Sequence, residues 1–345
     1  MRDIDPQYRI IPAGAGWAPK SARGRLRFTG RDRVSFLQAL LTNEIAALEP
    51  NAGTYALYLT PQGRIIADLH VFVRPDSVLA DVPVEISADL ASTFDRLIFS
   101  EDVHAADASA GIAQLSVMGA NAAAALSASL GLDEASVRSL PLWSQLDIPG
   151  GFVARTDDAD AGSWDVLIAA ASAGDLLAAL GRTGAAEISE DVVETLRIEA
   201  ARPRMGVDMT VETIPLEAGL LDRAISQTKG CYVGQEVIIR ILHRGAGRVA
   251  RRLVQIQFDA GLAEVPPAGA VLSAGDAATG HITSACWSPK FGRPVALGYV
   301  HRDHAEAGRE VIASWVQGSG FSVQGSGFIV PGSGFEVPGS GFEVH

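Results

Sequence analysis

Between Ile112 and Leu180, segments of differing apolar period follow one another in an order that leaves few folds open. Ile112 to Met118 reads as a strand and Ala120 to Leu130 as an alanine-rich helix. Asp147 to Arg155 is extended around Gly150-Gly151, Trp164 to Ala169 is another strand, and Ala173 to Leu180 is a helix stopped by Gly181. Strand, helix, strand, strand, helix in so short a span predicts a compact α+β subdomain of split-βαβ type.

The chain ahead of it follows other rules. Ile10 to Trp17 contains Pro12, Gly14 and Gly16 and reads as an irregular lead-in. Arg23 to Phe28 alternates as a strand with one polar face, in a stretch made basic by Lys20, Arg23, Arg25, Arg27, Arg31 and Arg33. A solvated strand face explains that set most simply, and arginines lining an anion pocket is the other reading. Asp32 stands where it would cap a helix over Arg33 to Leu41, whose apolar face is Val34, Leu37 and Leu41. Tyr55 to Thr60, the turn Pro61-Gln62-Gly63-Arg64 and Ile65 to Arg74 predict a β-hairpin. Asp68 lies inside the second strand, between Ala67 and Leu69. A carboxylate there is costly unless it faces a cavity, is paired, or sits on an exposed edge. Ser87 to Phe99 reads as a helix and Val103 to Asp107 as a short extended segment.

Ser189 opens a helix towards Ala201, with acids Glu190, Asp191 and Glu194 in its first turns and Pro203 beyond its end. Arg202 to Asp208 forms a charged elbow, suited to recognising a planar group or to an internal ion-pair bracket. After Gly247 the pattern changes. Arg251 to Phe258, Ala270 to Leu272, Ala277 to Ser284 and Pro294 to His301 are short extended segments between glycine and proline turns, which predicts a small antiparallel barrel or sandwich. Cys286 and His281 have no neighbours at metal-ligand spacing, and no metal is expected. Valines at 316, 323, 330, 337 and 344 then recur with Gly-Ser-Gly-Phe between them. Two glycines per unit exclude a coiled-coil heptad, so 317–345 is expected to be a disordered tail.

The 345 residues can fill one large domain or two to three smaller ones. A net charge of −12 argues against broad binding to nucleic acid or anionic membrane. No apolar run is long enough to span a bilayer, the first residues do not resemble a signal peptide, and two cysteines make no disulfide scaffold. The cytoplasm is the expected compartment.

The densest chemistry lies in Lys229-Gly230-Cys231-Tyr232-Val233-Gly234-Gln235-Glu236. Its glycines make it a loop. The apolar run Val237 to Arg244 that follows is a helix or a strand. If it is a helix, its positive end and Lys229 favour a thiolate at Cys231. The alternative is a buried, inert cysteine.

That loop resembles the signature of the folate-binding YgfZ family, relatives of the glycine cleavage aminomethyltransferase. The resemblance extends over most of residues 20–315, through Gly30-Arg31-Asp32-Arg33, Leu59-Thr60-Pro61-Gln62-Gly63-Arg64-Ile65, Leu196-Arg197-Ile198-Glu199-Ala200, Pro215-Leu216-Glu217-Ala218-Gly219-Leu220 and Ala296-Leu297-Gly298-Tyr299-Val300. It implies a three-domain α+β ring around a tetrahydrofolate cavity. The first domain is discontinuous (1–110 and 186–244), the second is ferredoxin-like (111–185), and the third is an antiparallel β-barrel (245–316). It further implies a factor for assembly or repair of 4Fe-4S clusters. Its partners would be iron-sulfur client enzymes, among them tRNA-modifying radical enzymes, and cluster carrier proteins, without direct contact to nucleic acid or membrane. In that reading Cys231 is a reactive group or the transient ligand of a bridging iron-sulfur species, since one cysteine cannot hold a stable cluster. Lys229 and Asp68 join it as catalytic candidates. Glu199 resembles the carboxylate that receives the pterin donors, and Arg202, Arg204, Tyr232, Gln235, Glu236 and Arg240 complete the cofactor-binding set. The alternatives are a folate-dependent aminomethyltransferase or demethylase and a structural adaptor. Ala67 stands where the transferases carry a second aspartate, and Val82 and Val84 where an asparagine is expected.

Overall fold

The computed structural model describes residues 6–245, 247–317 and 321–330. They form two compact units, Met1–Leu196 with Arg223–Ile238 and Arg197–Asp222 with Ile239–His345.

The first unit contains strands β1 (Gly16–Pro19), β2 (Arg23–Thr29), β3 (Gly53–Leu59), β4 (Ile65–Val73), β5 (Val78–Pro83), β6 (His104–Asp107), β7 (Ile112–Met118), β8 (Gln145–Ile148), β9 (Gly151–Thr156), β10 (Ser163–Ala169) and β11 (Ala186–Glu187). Helices α1 (Arg33–Leu40), α2 (Ser87–Arg96), α3 (Ala122–Leu130), α4 (Glu134–Arg138) and α5 (Ala173–Arg182) are threaded among them, and α6 (Glu190–Glu199) starts in this unit and ends in the other. One antiparallel sheet has the order β3-β4-β5-β2-β6. Phe36 and Leu37 of α1 and Leu90 and Phe94 of α2 pack on it with Leu26, Phe28, Leu69, Val71 and Ala80. The predicted hairpin is β3 and β4. No strand is predicted between Arg74 and Ser87, where β5 lies. Asp32 does not cap α1, because its carboxylate accepts the N–H of Asp102 instead.

The other sheet has the order β11-β1-β7-β10-β9-β8 and carries α3 and α5. The supposed irregular lead-in supplies its strand β1, antiparallel to β7 and parallel to β11. Four residues between turns are too few to show a period, and the pairing comes from strands distant in sequence.

Short helices α7 (Leu221–Ala224) and α8 (Gln235–Arg244) precede the barrel. In the second unit β12 (Arg251–Phe258), β13 (Val271–Ala274), β14 (Ala277–Ser288), β15 (Arg293–His301), β16 (Glu310–Gln317) and β17 (Phe321–Val330) close in the order β12-β15-β14-β13-β16-β17. β17 corrects the disordered-tail expectation for 321–330, while 331–345 lie outside the described residues. The repeat composition suits the slot. A Cβ at Gly325 would stand 2.7 Å from Leu262 and one at Gly327 2.8 Å from Phe258, so a side chain at either place would displace its neighbour. Ile329 is buried in the barrel core. The following repeats carry Glu336 and Glu343 at the equivalent place, and Pro331 and Pro338 at that of Gln324. Ile329→Glu is expected to cost roughly 3 kcal/mol by burying an unpaired carboxylate, read as a lowered thermal midpoint. An unchanged midpoint contradicts this register. Among the described residues no helix is long and apolar enough to cross a membrane.

Candidate active site

Strand alternation builds a polar face on the first sheet. Successive side chains point to opposite sides. Ala67, Leu69 and Val71 of β4, with Leu26, Ala56 and Ala80 on neighbouring strands, fill the apolar core. The intervening residues Arg23, Tyr55, Asp68, His70 and Asp81 belong to the other side.

Asp68 is buried there and paired. Arg23 Nη1 donates to its Oδ1 at 2.8 Å, and the Tyr55 hydroxyl donates to Oδ2 at 3.1 Å. Arg23 also grips Asp81, from Nε at 3.1 Å and Nη2 at 2.7 Å. Burial works against the Asp81 charge, but Arg23 and His70 hold its carboxyl well below the usual range. Burial and the neighbouring Asp68 charge keep Tyr55 a neutral phenol, with its pKa well above normal. Arg223 lies over the Tyr55 ring at 4.1 Å and is forked onto Asp157. The rings of His70 and Trp143 stack with centroids 4.9 Å apart.

Gln114 Nε2 donates to Asp81 at 2.7 Å and to Asp165 at 2.8 Å, joining the two sheets. Lys20 bridges Asp158 and Asp165 at 2.7 and 2.6 Å. Against the cost of burial, Lys20 draws Asp158 down to about 2. His70, Asp81 and Asp165 bring ligand-type atoms within 4.8 Å of one another. Arg23 and Lys20 already neutralise those oxygens, so the arrangement is an ion network rather than a cation cage.

The glycine-bounded loop docks on the β3–β4 turn. Gly234 has φ 83°, and a Cβ on it would stand 2.5 Å from the Thr60 carbonyl oxygen. Lys229 Nζ donates to the carbonyls of Gln38, Leu41 and Asn43 at 2.7, 2.5 and 2.9 Å. It thereby satisfies acceptors left open at the end of α1. Burial pulls its pKa down to about 8, yet the ammonium is the form with three protons to donate. Lys229, expected among the catalytic groups, is a structural post. Lys229→Met should cost roughly 3 kcal/mol by leaving these carbonyls unmatched, with no direct loss at the chemical step. Denaturant unfolding measures it, and an unchanged midpoint contradicts the role.

Cys231 is exposed and precedes α8, which begins at Gln235, so it does not stand at the helix end. Tyr232 is buried, which raises its pKa to about 12, Gln235 is half-buried and Glu236 is exposed. No hydrogen bond or ion pair joins Cys231 to Asp68 among the described residues.

The remaining predicted residues belong to the second unit. Glu199 is buried, with Oε1 accepting from the Ser288 hydroxyl and from the Lys290 N–H at 3.3 Å. Arg202 is half-buried, and Arg204 and Arg240 are exposed. The charged elbow is an internal bracket. Asp208, fully buried, accepts from Arg197 at 2.6 Å, the Arg204 N–H at 3.0 Å and the Ser284 hydroxyl at 2.8 Å, with Thr283 as a further donor. The sequence reading missed Arg23 and Tyr55. Their only signal is phase: Tyr55 lies on the polar side of β3, next to β4, and Arg23 on the same side of β2, one strand beyond β5.

A family model of the GCVT N-terminal domain matches residues 6–229, and one of the glycine cleavage T-protein C-terminal barrel domain matches 251–321. An aminomethyltransferase of Thermosynechococcus vestitus is 28% identical over 308 residues, 88% of this chain and 82% of the relative. One from Geobacillus kaustophilus is 28% identical over 317 residues, 89% of this chain and 85% of the relative. The solved structure of glycine cleavage system aminomethyltransferase T from Bartonella henselae matches with a TM-score of 0.83 at 21% identity, covering 94% of this chain and 87% of that one. It supports the three-domain fold, with its discontinuous first domain and C-terminal antiparallel barrel. These relatives overturn the expected role in iron-sulfur cluster assembly and tRNA modification, because the proteins matched along nearly nine-tenths of the chain are aminomethyltransferases. The chain belongs to the glycine cleavage T-protein family.

Proposed function

We propose that this protein is a folate-dependent aminomethyltransferase. The observation that carries the reading is Asp68: a buried carboxylate held by Arg23 and Tyr55, in a chain whose aminomethyltransferase relatives align along most of its length. Among the described residues each Asp68 oxygen has one protein donor, which leaves acceptor capacity for a ligand N–H. Tetrahydrofolate fits a donor set of this kind, being rich in N–H groups. It would supply the nitrogen that accepts the one-carbon unit. Asp68 is the group that orients that N–H and takes its proton. By its resemblance to the family's pterin-binding carboxylate, Glu199 is the candidate for the pterin donors, and the Ser288 hydroxyl donates to it. Ala67 removes the companion aspartate, so Asp68 carries this work alone. Within the family the cysteine-bearing loop 229–236 resembles the folate-binding YgfZ branch, which supports folate as the ligand. Calorimetry of reduced folate under exclusion of oxygen tests the binding. Wild type should bind, Glu199→Ala should lose at least tenfold in affinity, and Cys231→Ala should bind as wild type. No binding by wild type rejects folate.

A further inference from the structure

Arg23 has more bonds than an ion pair needs. Its guanidinium donates to the Asp68 and Asp81 carboxylates and also, from Nη2, to both residues' backbone carbonyls at 3.0 Å. The strand register explains why. The β4–β5 ladder runs from Val73↔Val78 to His70↔Asp81 and goes no further. Pro83, paired with Arg23 on β2, has no N–H with which to extend it. The carbonyl of Asp68 thus lacks a strand partner at the position where the side chain must be held. Arg23 reaches across β5 and supplies that donor with one nitrogen and the carboxylate bond with another. Asp81 is anchored in turn by His70 and Gln114, which fixes the far edge of the guanidinium.

We propose that Arg23 is the positioning residue for the Asp68 carboxylate, and that Asp81 acts on Asp68 through Arg23. The planar fork sets the carboxylate plane so that Oδ2 meets the Tyr55 hydroxyl. A lysine keeps the charge but has no fork, and cannot hold two carboxylates and two carbonyls at once. The inference rests on the reading of Asp68 as the working carboxylate.

The test compares wild type, Arg23→Lys, Asp81→Asn, the double variant and Asp68→Asn. It uses steady-state aminomethyl transfer to tetrahydrofolate and crystal structures of the two single positioning variants. In Arg23→Lys, kcat should fall about 10²-fold, the loss typical of a misplaced group, with KM for tetrahydrofolate within about threefold. Its crystal structure should show Asp68 turned away from Tyr55. Asp81→Asn should lower kcat less, and the double variant should lose no more than Arg23→Lys alone. A wild-type kcat in Arg23→Lys, or an unmoved Asp68, overturns the proposal. If Arg23→Lys does not fold, Asp81→Asn decides, and an unmoved Asp68 with wild-type kcat overturns it. An inactive wild type, or full activity in Asp68→Asn, rejects the functional reading instead, and the position of Asp68 in the variant crystals still decides the role of Arg23.

Discussion

Asp68→Asn is expected to lower kcat for aminomethyl transfer by about 10²- to 10⁴-fold, the range for loss of a positioned proton acceptor. The amide keeps the size of the carboxylate and can still meet Tyr55, so folding should survive. It cannot take a proton at either atom, and its nitrogen would face the donors of Arg23. Tetrahydrofolate KM should change little, because the loss falls on a group acting in the transition state. Rapid-quench single turnovers separate this from slow product release. A kcat within threefold of wild type would remove Asp68 from the chemistry.

Asp208→Ala should cost about 3–5 kcal/mol in stability, the range for breaking a buried ion pair from one side. Arg197 would keep its charge in a buried place without the Asp208 carboxylate. The Arg204 N–H and the Thr283 and Ser284 hydroxyls would lose an acceptor too. At about 2–4 °C per kcal/mol the thermal midpoint should drop by roughly 10 °C, measured by scanning calorimetry. Asp208→Asn keeps the shape and one acceptor atom and should lose less. A drop below about 2 °C for Asp208→Ala would mean that the bracket contributes little.

What the sequence shows of this fold depends on where each strand lies. The hairpin β3–β4 is legible because its turn residues demand it. β1 and β5 are not, because a four-residue strand and a strand buried on both sides show no alternation. The six residues Val78–Pro83 are all buried, and Asp81 is the single polar residue among them, so no alternation marks their outer side. The repeat tail misleads for the opposite reason. Gly-Ser-Gly reads as flexible chain, while at β17 it forms barrel wall, where a Cβ at Gly325 or Gly327 would crowd Leu262 or Phe258. The site follows the same division. Asp68 stands out as an acid in an apolar strand. Arg23 belongs to a run of arginines of which only register singles out one. Lys229 and Cys231 attract attention as reactive types, but the amine is consumed by backbone carbonyls, a use that no local pattern announces.

The proposed reaction is transfer of an aminomethyl-derived carbon to tetrahydrofolate. The most direct measurement is turnover of purified wild-type protein with an aminomethyl donor and tetrahydrofolate, following the carbon by isotope label, with Asp68→Asn alongside. Label appearing on folate with wild type, and at least a hundredfold more slowly with Asp68→Asn, is the expected result. No label on folate with wild type, while the protein still binds folate, would contradict the assignment.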